Sequence, residues 1–489
     1  MKQVVKAVAF LLVGVILIGG VSQVLCGKWT DANKETYTTK EFYALEENSI
    51  EVFIVGSSQI VTGVSSMAMY ENYGISAFGL GTGNAPMAGN YHWLKECQKT
   101  QDISLVAIEV SMLYEPTKQF LFRRAFDPMK LSLNKLEAVN EQSRAYDGDG
   151  VLSYVFPMIK YHNRWKELTE EDFVLHEQDS LVYRGNVMKS GVKPVPYEKV
   201  IIDNDAPRNI DMEADQLEYF EKILSYCKEN GWDVVLFKTP KTSWSLSKSE
   251  GVSALAEQYD VPFLDFNYDK LMKEIKFDPM RDLRDADHPN LRGAEKISDY
   301  LGKYLKENYD LKDYRQDGTE PVNMELYYED QEDCYLKMST EPVEYLENLG
   351  NDRYGVIVQL TGDISESWNS AVQKEFAGLG FKTDISTLSG RNYIGVIERG
   401  NCVFEESLDG PLEYSGSFDG RIEYTAWSDI MYEVDDVKMK VDGEEEFFEE
   451  KGMNILVYDI AKGRILSKVV IKKQADSDNL QLETVYLFE

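Results

Sequence analysis

Glu51-Val52-Phe53-Ile54-Val55 runs directly into Gly56-Ser57-Ser58-Gln59, and the reading of this stretch decides the fold. A short apolar run that stops at a glycine reads as a buried strand. Three further runs match it: Val106-Ala107-Ile108-Glu109-Val110, Asp233-Val234-Val235-Leu236-Phe237 and Pro262-Phe263-Leu264-Asp265. Helical stretches alternate with them, one through Tyr91 and Leu94, one with apolar positions at Leu217, Phe220, Ile223 and Leu224, one over 252–259, and a last one from Gly293 to Lys306. Strands alternating with amphipathic helices predict an α/β unit, a parallel sheet covered on both faces. In such a sheet functional groups emerge at the carboxyl ends of strands. Gly56 permits a tight turn there, and a serine on it projects its hydroxyl into the crevice. The helix start that follows offers backbone N–H groups to a developing oxyanion. The same letters also spell an ordinary turn or helix N-cap.

The flanking chain sets the context. With 489 residues the protein holds two or three domains, and 43% hydrophobic with 12% aromatic residues is ample for packed cores. A balance of 52 basic against 84 acidic residues leaves a net charge of −32, which repels phosphate backbones and argues against nucleic acid as a partner. The five cysteines (Cys26, Cys97, Cys227, Cys334, Cys402) form no C-x-x-C pair, so neither a zinc site nor a dense disulfide framework is expected. They read as isolated small hydrophobes.

Lys2 and Lys6 precede an apolar run from Ala7 to Val21 that continues less purely to Cys26. Residues 1–27 are expected to form an uncleaved transmembrane anchor with the bulk of the chain outside the cytoplasm, in preference to a cleaved signal peptide, because small residues are missing before Cys26. A polar stalk over 28–45 follows, then an α/β domain over 46–308 in which 120–210 reads as an insertion or lid. Residues 309–324 read as a linker, and 325–489 as a β-rich α+β domain with strands at Tyr354–Leu360 and Tyr393–Glu398 and a helix around 367–379.

The far end of the α/β domain carries Asp285-Ala286-Asp287-His288-Pro289-Asn290. A hydroxyl needs an adjacent base to become a nucleophile, and imidazole is the usual one. The imidazole needs a carboxylate to fix its tautomer. Asp285, three residues ahead of His288, can fold back onto the ring, while Asp282 and Asp287 are rivals or helix caps. Of the four histidines (His92, His162, His176, His288), His288 is the most base-like by its loop and acidic flanks. No histidine spacing or acidic cluster suits a metal site, and no cofactor is expected.

Gly56-Ser57-Ser58 near the start and Asp285-x-x-His288 near the end resemble the blocks of the SGNH (GDSL-like) hydrolases. The resemblance implies a flavodoxin-like three-layer sheet, Ser58 as nucleophile, His288 as base and Asp285 as its partner. Gly79-Leu80-Gly81-Thr82-Gly83-Asn84 is similar to the family's second block, which implies an oxyanion hole from the N–H groups of Ser58 and Gly81, with Asn84 as a side-chain donor. Two departures stand out: Ser57 replaces the family's Asp, and Ile108-Glu109-Val110-Ser111 stands where a G-x-N-D block is usual. Both resemble the branch of DltD and the alginate O-acetylation proteins, which work beside membrane-bound O-acyltransferases on cell-envelope polymers. Tyr161-His162-Asn163-Arg164-Trp165 looks like an element of that branch and implies site-lining roles for His162 and Arg164, as Ser57 also has, with core packing or salt bridging as the plain alternative for the first two.

The C-terminal stretch Gly452-Met453-Asn454-Ile455-Leu456-Val457-Tyr458-Asp459, with Gly463-Arg464-Ile465-Leu466 after it, resembles ILEI/PANDER-like domains. This implies a glycan-holding module in which Trp427, Tyr424 and Tyr432 stack on sugar rings, although aromatics in strands are usually core. Together the resemblances imply an esterase or O-acyltransferase acting on acyl groups of a cell-surface polysaccharide, with a membrane-bound O-acyltransferase as partner. The alternative is a non-catalytic glycan-binding protein on an inactive hydrolase fold.

Overall fold

The structure is a computed structural model that describes residues 2–25, 35–145, 150–168, 182–203, 210–318, 320–430, 438–448, 450–475 and 479–487, with isolated positions 173, 205 and 477. The chain divides into two compact units, residues 1–327 and 328–489.

In the first unit, β1 (Val52–Gly56), β2 (Ala77–Gly81), β3 (Leu105–Glu109), β4 (Asp233–Lys238) and β5 (Phe263–Asp265) form one parallel sheet in the order 2-1-3-4-5. Alternate side chains of each strand enter opposite faces. Phe53, Val55, Val106, Ile108 and Leu236 pack against α5 (Met87–Cys97), α6 (Ala214–Asn230) and α7 (Leu246–Tyr259). Val52, Ile54, Leu105, Ala107 and Val235 pack on the other side. There they meet α3 (Ser58–Gly63), α4 (Ser66–Tyr73) and α8 (Leu291–Asn308). Two earlier helices, α1 (Lys2–Leu25) and α2 (Glu35–Ala44), precede the sheet. The parallel α/β architecture is therefore present. The sequence pattern missed β2, whose Gly79 and Gly81 break the apolar run. Both glycines answer to close approaches: a Cβ on Gly79 would press on the Asn186 side chain, and one on Gly81 would collide with the Ser57 carbonyl oxygen.

Within the 120–210 insertion, the hairpin Val182–Tyr183/Asn186–Val187 lies along edge strand β2, with Gly79 N–H donating to the Arg184 carbonyl (3.0 Å). Asn186 bridges α3 and α4, donating to the Ile60 carbonyl and accepting from Ser66 N–H, both at 2.8 Å. Residues 189–195 then run beside the 279–291 segment, bonded at Leu291, Leu283 and Pro279.

One expectation lacks support, and two expected connecting segments carry structure. A helix does form over Lys2–Leu25, yet among the described residues no helix is long and apolar enough to cross a membrane, so the expected transmembrane anchor is unsupported. Within the stretch expected as a stalk, Glu35–Ala44 form the helix α2. The 309–324 segment is not a free linker over its first part: Lys312 N–H donates to Glu51 and Tyr314 N–H to the Gly74 carbonyl, both at 2.9 Å.

The second unit is β-rich. A six-stranded antiparallel sheet is built from β6 (Tyr354–Leu360), β7 (Asn392–Glu398), β8 (Asn401–Leu408), β13 (Met453–Asp459), β14 (Arg464–Lys473) and β15 (Leu480–Leu487) in the order 8-7-6-13-14-15. A four-stranded sheet joins β9 (Leu412–Phe418), β10 (Ile422–Ser428), β11 (Lys438–Val441) and β12 (Glu444–Phe447) in sequence order. Val356, Val358 and Leu360 face the helices α9 (Pro342–Glu347) and α10 (Ser370–Gly378) through Tyr345 and Phe376. Ile357 faces the four-stranded sheet through Phe418 and Tyr424. Tyr424 is thus core between two sheets and unavailable for stacking on a sugar. Trp427 is half-buried with Lys438 over its ring, and Tyr432 lies outside the described residues. The described cysteines, Cys97, Cys227, Cys334 and Cys402, are free thiols.

Candidate active site

The strand β1 ends at Gly56, where a Cβ would press on the Glu109 and Ile60 side chains, and the chain turns at once into α3. The two serines of the turn divide the two readings of it between them. Ser57 is buried and is the N-cap, its hydroxyl accepting from Gln59 N–H (3.4 Å). Ser58 is half-buried, and its Oγ lies 2.9 Å from His288 Nε2, across 230 residues of chain. The helix that Ser58 opens is six residues long, so its macrodipole adds little at the turn.

His288 is carried by a tight loop. Leu283 and Pro289 form a β-bridge, and Arg284 N–H donates to the His288 carbonyl (3.0 Å). Asp285 folds back as its spacing suggested: Oδ1 accepts from the N–H groups of Asp287 (2.8 Å) and His288 (3.0 Å) and lies 2.9 Å from His288 Nδ1. Oδ2 is 3.1 Å from the same ring nitrogen and 3.3 Å from Arg284 Nε. Burial alone would raise this carboxyl, but the His288 hydrogen bond, the Asp287 N–H and the His288 and Arg284 charges together hold it down at about 2. An ionised Asp285 only accepts, so Nδ1 carries the ring proton and Nε2 presents its lone pair to the Ser58 hydroxyl. The side chains of His288 and Asp285 are 21% and 38% exposed, enough for a substrate to reach the ring.

The rival carboxylates are engaged elsewhere. Asp282 is buried and holds Lys296 and the Asp278 N–H, while Asp287 accepts from Ser243. Asn290 caps α8, accepting from Gly293 N–H. Gly81 meets the turn through its α-carbon, beneath the Ser57 carbonyl. Asn84 sits exposed in a left-handed turn (φ 53°) closed by Ala85 N–H to the Thr82 carbonyl. His162 and Arg164 are not brought to the site by any contact described for them. His162 Nδ1 is bonded to the Ile159 carbonyl, and Arg164 donates to the Leu25 carbonyl at the end of α1 (3.1 Å). The short 3₁₀ turn they occupy packs on the N-terminal helix, so the local motif served that contact. His92 is buried against Asn134, and His176 lies outside the described residues.

No family model matches the chain, and no curated protein matches it.

Sequence reasoning missed the polar groups under the turn. Glu109 and Lys238 are fully buried and paired at 3.1 Å at the carboxyl ends of β3 and β4. Burial pushes the Lys238 ammonium down, and Glu109 opposes that shift. Ser57 Oγ donates to Glu109 (3.4 Å), and Gln59 reaches from the turn to the Asp287 carbonyl (2.7 Å). The available signal was a charge ending each of two otherwise apolar strands. It needed the β3–β4 register, with Glu109 opposite Phe237, to show that the two charges meet.

Proposed function

We propose that the chain is a serine esterase or O-acyltransferase that works through Ser58, His288 and Asp285. The observation that carries this reading is the continuous relay from Ser58 Oγ to His288 Nε2 and from Nδ1 to an ionised Asp285. Ser58 Oγ attacks an acyl carbonyl and its proton passes to His288 Nε2. The imidazolium returns that proton to the departing alcohol or thiol as the carbonyl–heteroatom bond breaks, leaving an acyl group on Ser58. Water or a sugar hydroxyl then attacks the acyl-enzyme, giving its proton to His288, which passes it to Ser58 Oγ as the acyl–Oγ bond breaks. The N–H groups of Ser58 and Gly81 are the donors this reading assigns to the oxyanion.

The cell-surface polysaccharide and the membrane-bound O-acyltransferase partner rest on the resemblance to the DltD and alginate O-acetylation branch. The reading places the bulk of the chain outside the cytoplasm, with the apolar helix Lys2–Leu25 as its means of export or attachment. Protease added to intact cells should remove most of the chain, and full protection would overturn that placement.

The chemistry is tested with a fluorophosphonate probe and p-nitrophenyl acetate. Labelling should map to Ser58, and Ser58→Ala should abolish both labelling and turnover. Undiminished turnover in the variant sinks the assignment, and an inert scaffold would not label at all.

A further inference from the structure

The triad leaves unused a ring of buried polar groups directly beneath it. Lys238 Nζ has three protons, and three acceptors are in place: Glu109 Oε1 (3.1 Å), the Thr239 carbonyl (2.8 Å) and Thr239 Oγ1 (3.3 Å). Having accepted from Lys238, the Thr239 hydroxyl donates its single proton to Gln59 Oε1. That fixes the amide with Nε2 toward the Asp287 carbonyl, 2.7 Å away and one residue before the base. On the other side Glu109 Oε2 accepts from Ser57, one residue before the nucleophile, and Oε1 also accepts from the N–H and hydroxyl of Ser111. Lys238 can only donate and the Asp287 carbonyl can only accept, so the protons between them run one way. A flipped Gln59 amide would set Oε1 against the Asp287 carbonyl oxygen and leave the Thr239 hydroxyl proton without its acceptor.

Stability does not account for such an arrangement. A buried ion pair is commonly matched or exceeded by apolar residues of the same volume, and these strands lie in an apolar core. Geometry does account for it. Ser58 and His288 come from segments 230 residues apart, and the His288 and Asp285 side chains are partly exposed, so burial alone does not fix their distance from Ser58.

We propose that Gln59, oriented by the Glu109–Lys238 pair through Thr239, is a positioning residue that sets the distance between Ser58 and His288. The proposal rests on Ser58 being the nucleophile. A misplacement of about 1 Å costs on the order of 100-fold in rate.

The test uses the full chain and a saturable fluorophosphonate. Gln59→Met removes both amide bonds and no charge. The double variant Glu109→Leu with Lys238→Met removes both charges at similar volume. Each should keep its melting transition while the maximal rate of Ser58 labelling falls about 100-fold, with the probe's half-saturation concentration unchanged. A loss of general packing would instead lower the melting transition, and a folded variant that labels at the wild-type rate overturns the proposal. If the double variant does not fold, Gln59→Met alone decides. Failure of the wild-type chain to label at Ser58 overturns the nucleophile reading and this proposal with it. Wild-type labelling alongside normal rates in Gln59→Met overturns this proposal only.

Discussion

Replacing Asp285 with Asn changes one atom and should silence the site. The side-chain oxygen of the new residue is forced into the Oδ1 position, because the N–H groups of Asp287 and His288 at 2.8 and 3.0 Å demand an acceptor there. The amide nitrogen then takes the Oδ2 position, 3.1 Å from His288 Nδ1. Where the amide donates to that nitrogen, the ring proton moves onto Nε2, which then faces Ser58 as a donor; where Nδ1–H keeps its bond to the oxygen 2.9 Å away, the imidazolium loses the carboxylate charge beside it. The same inversion in a Ser-His-Asp enzyme costs about 10⁴ in turnover, or about 5.4 kcal/mol of transition-state stabilisation. The loop should survive, since both backbone bonds and the Leu283–Pro289 bridge remain. The assay is kcat/KM for p-nitrophenyl acetate beside thermal unfolding. A folded Asp285→Asn protein within tenfold of wild type would refute the tautomer argument.

Three further outcomes follow from the same coordinates. Gly81→Ala places a methyl against the Ser57 carbonyl oxygen, so the nucleophile turn must move; labelling of Ser58 should fall at least tenfold while circular dichroism stays native. Gly185→Ala adds a side chain at φ +84° that collides with the Gly79 carbonyl oxygen, and should lower unfolding stability in urea by about 2 kcal/mol or more. Asp285 sits at about 2 against an ordinary 3.8, so the unfolded chain binds more protons between those values. Its contribution is complete above about pH 4 and is lost as the pH falls toward 2, so the stability gap between wild type and Asp285→Asn should close over that window in pH-dependent melting.

The triad was legible because each part of it is local. Asp285 and His288 are three residues apart, close enough to meet within one turn of loop, and Ser58 follows a strand that ends at glycine. The sheet was legible where strands were purely apolar and illegible at β2, where Gly79 and Gly81 exist to let the hairpin and the nucleophile turn come close. Glu109 and Lys238 were invisible for another reason. A charge at a strand end usually marks the exit to solvent, and only the pairing of β3 with β4 turns two exits into one buried contact. His162 and Arg164 show the converse, a recognisable local motif whose described bonds run to the neighbouring Ile159 carbonyl and to the Leu25 carbonyl at the end of the N-terminal helix. In the second unit the strands were readable, but the alternation that buries Tyr424 between two sheets depends on which sheet each strand joins.

The span of 230 residues between Ser58 and His288 also fixes when the two can first meet. A ribosome releases Ser58 long before His288, and α8, which anchors the loop through Asn290, emerges later still. Until that helix docks, Ser58 has no imidazole beside it. On the proposed function the protein would carry its own delay: reactivity would arrive together with the completed first unit, and a chain cut short before residue 288 would lack the base.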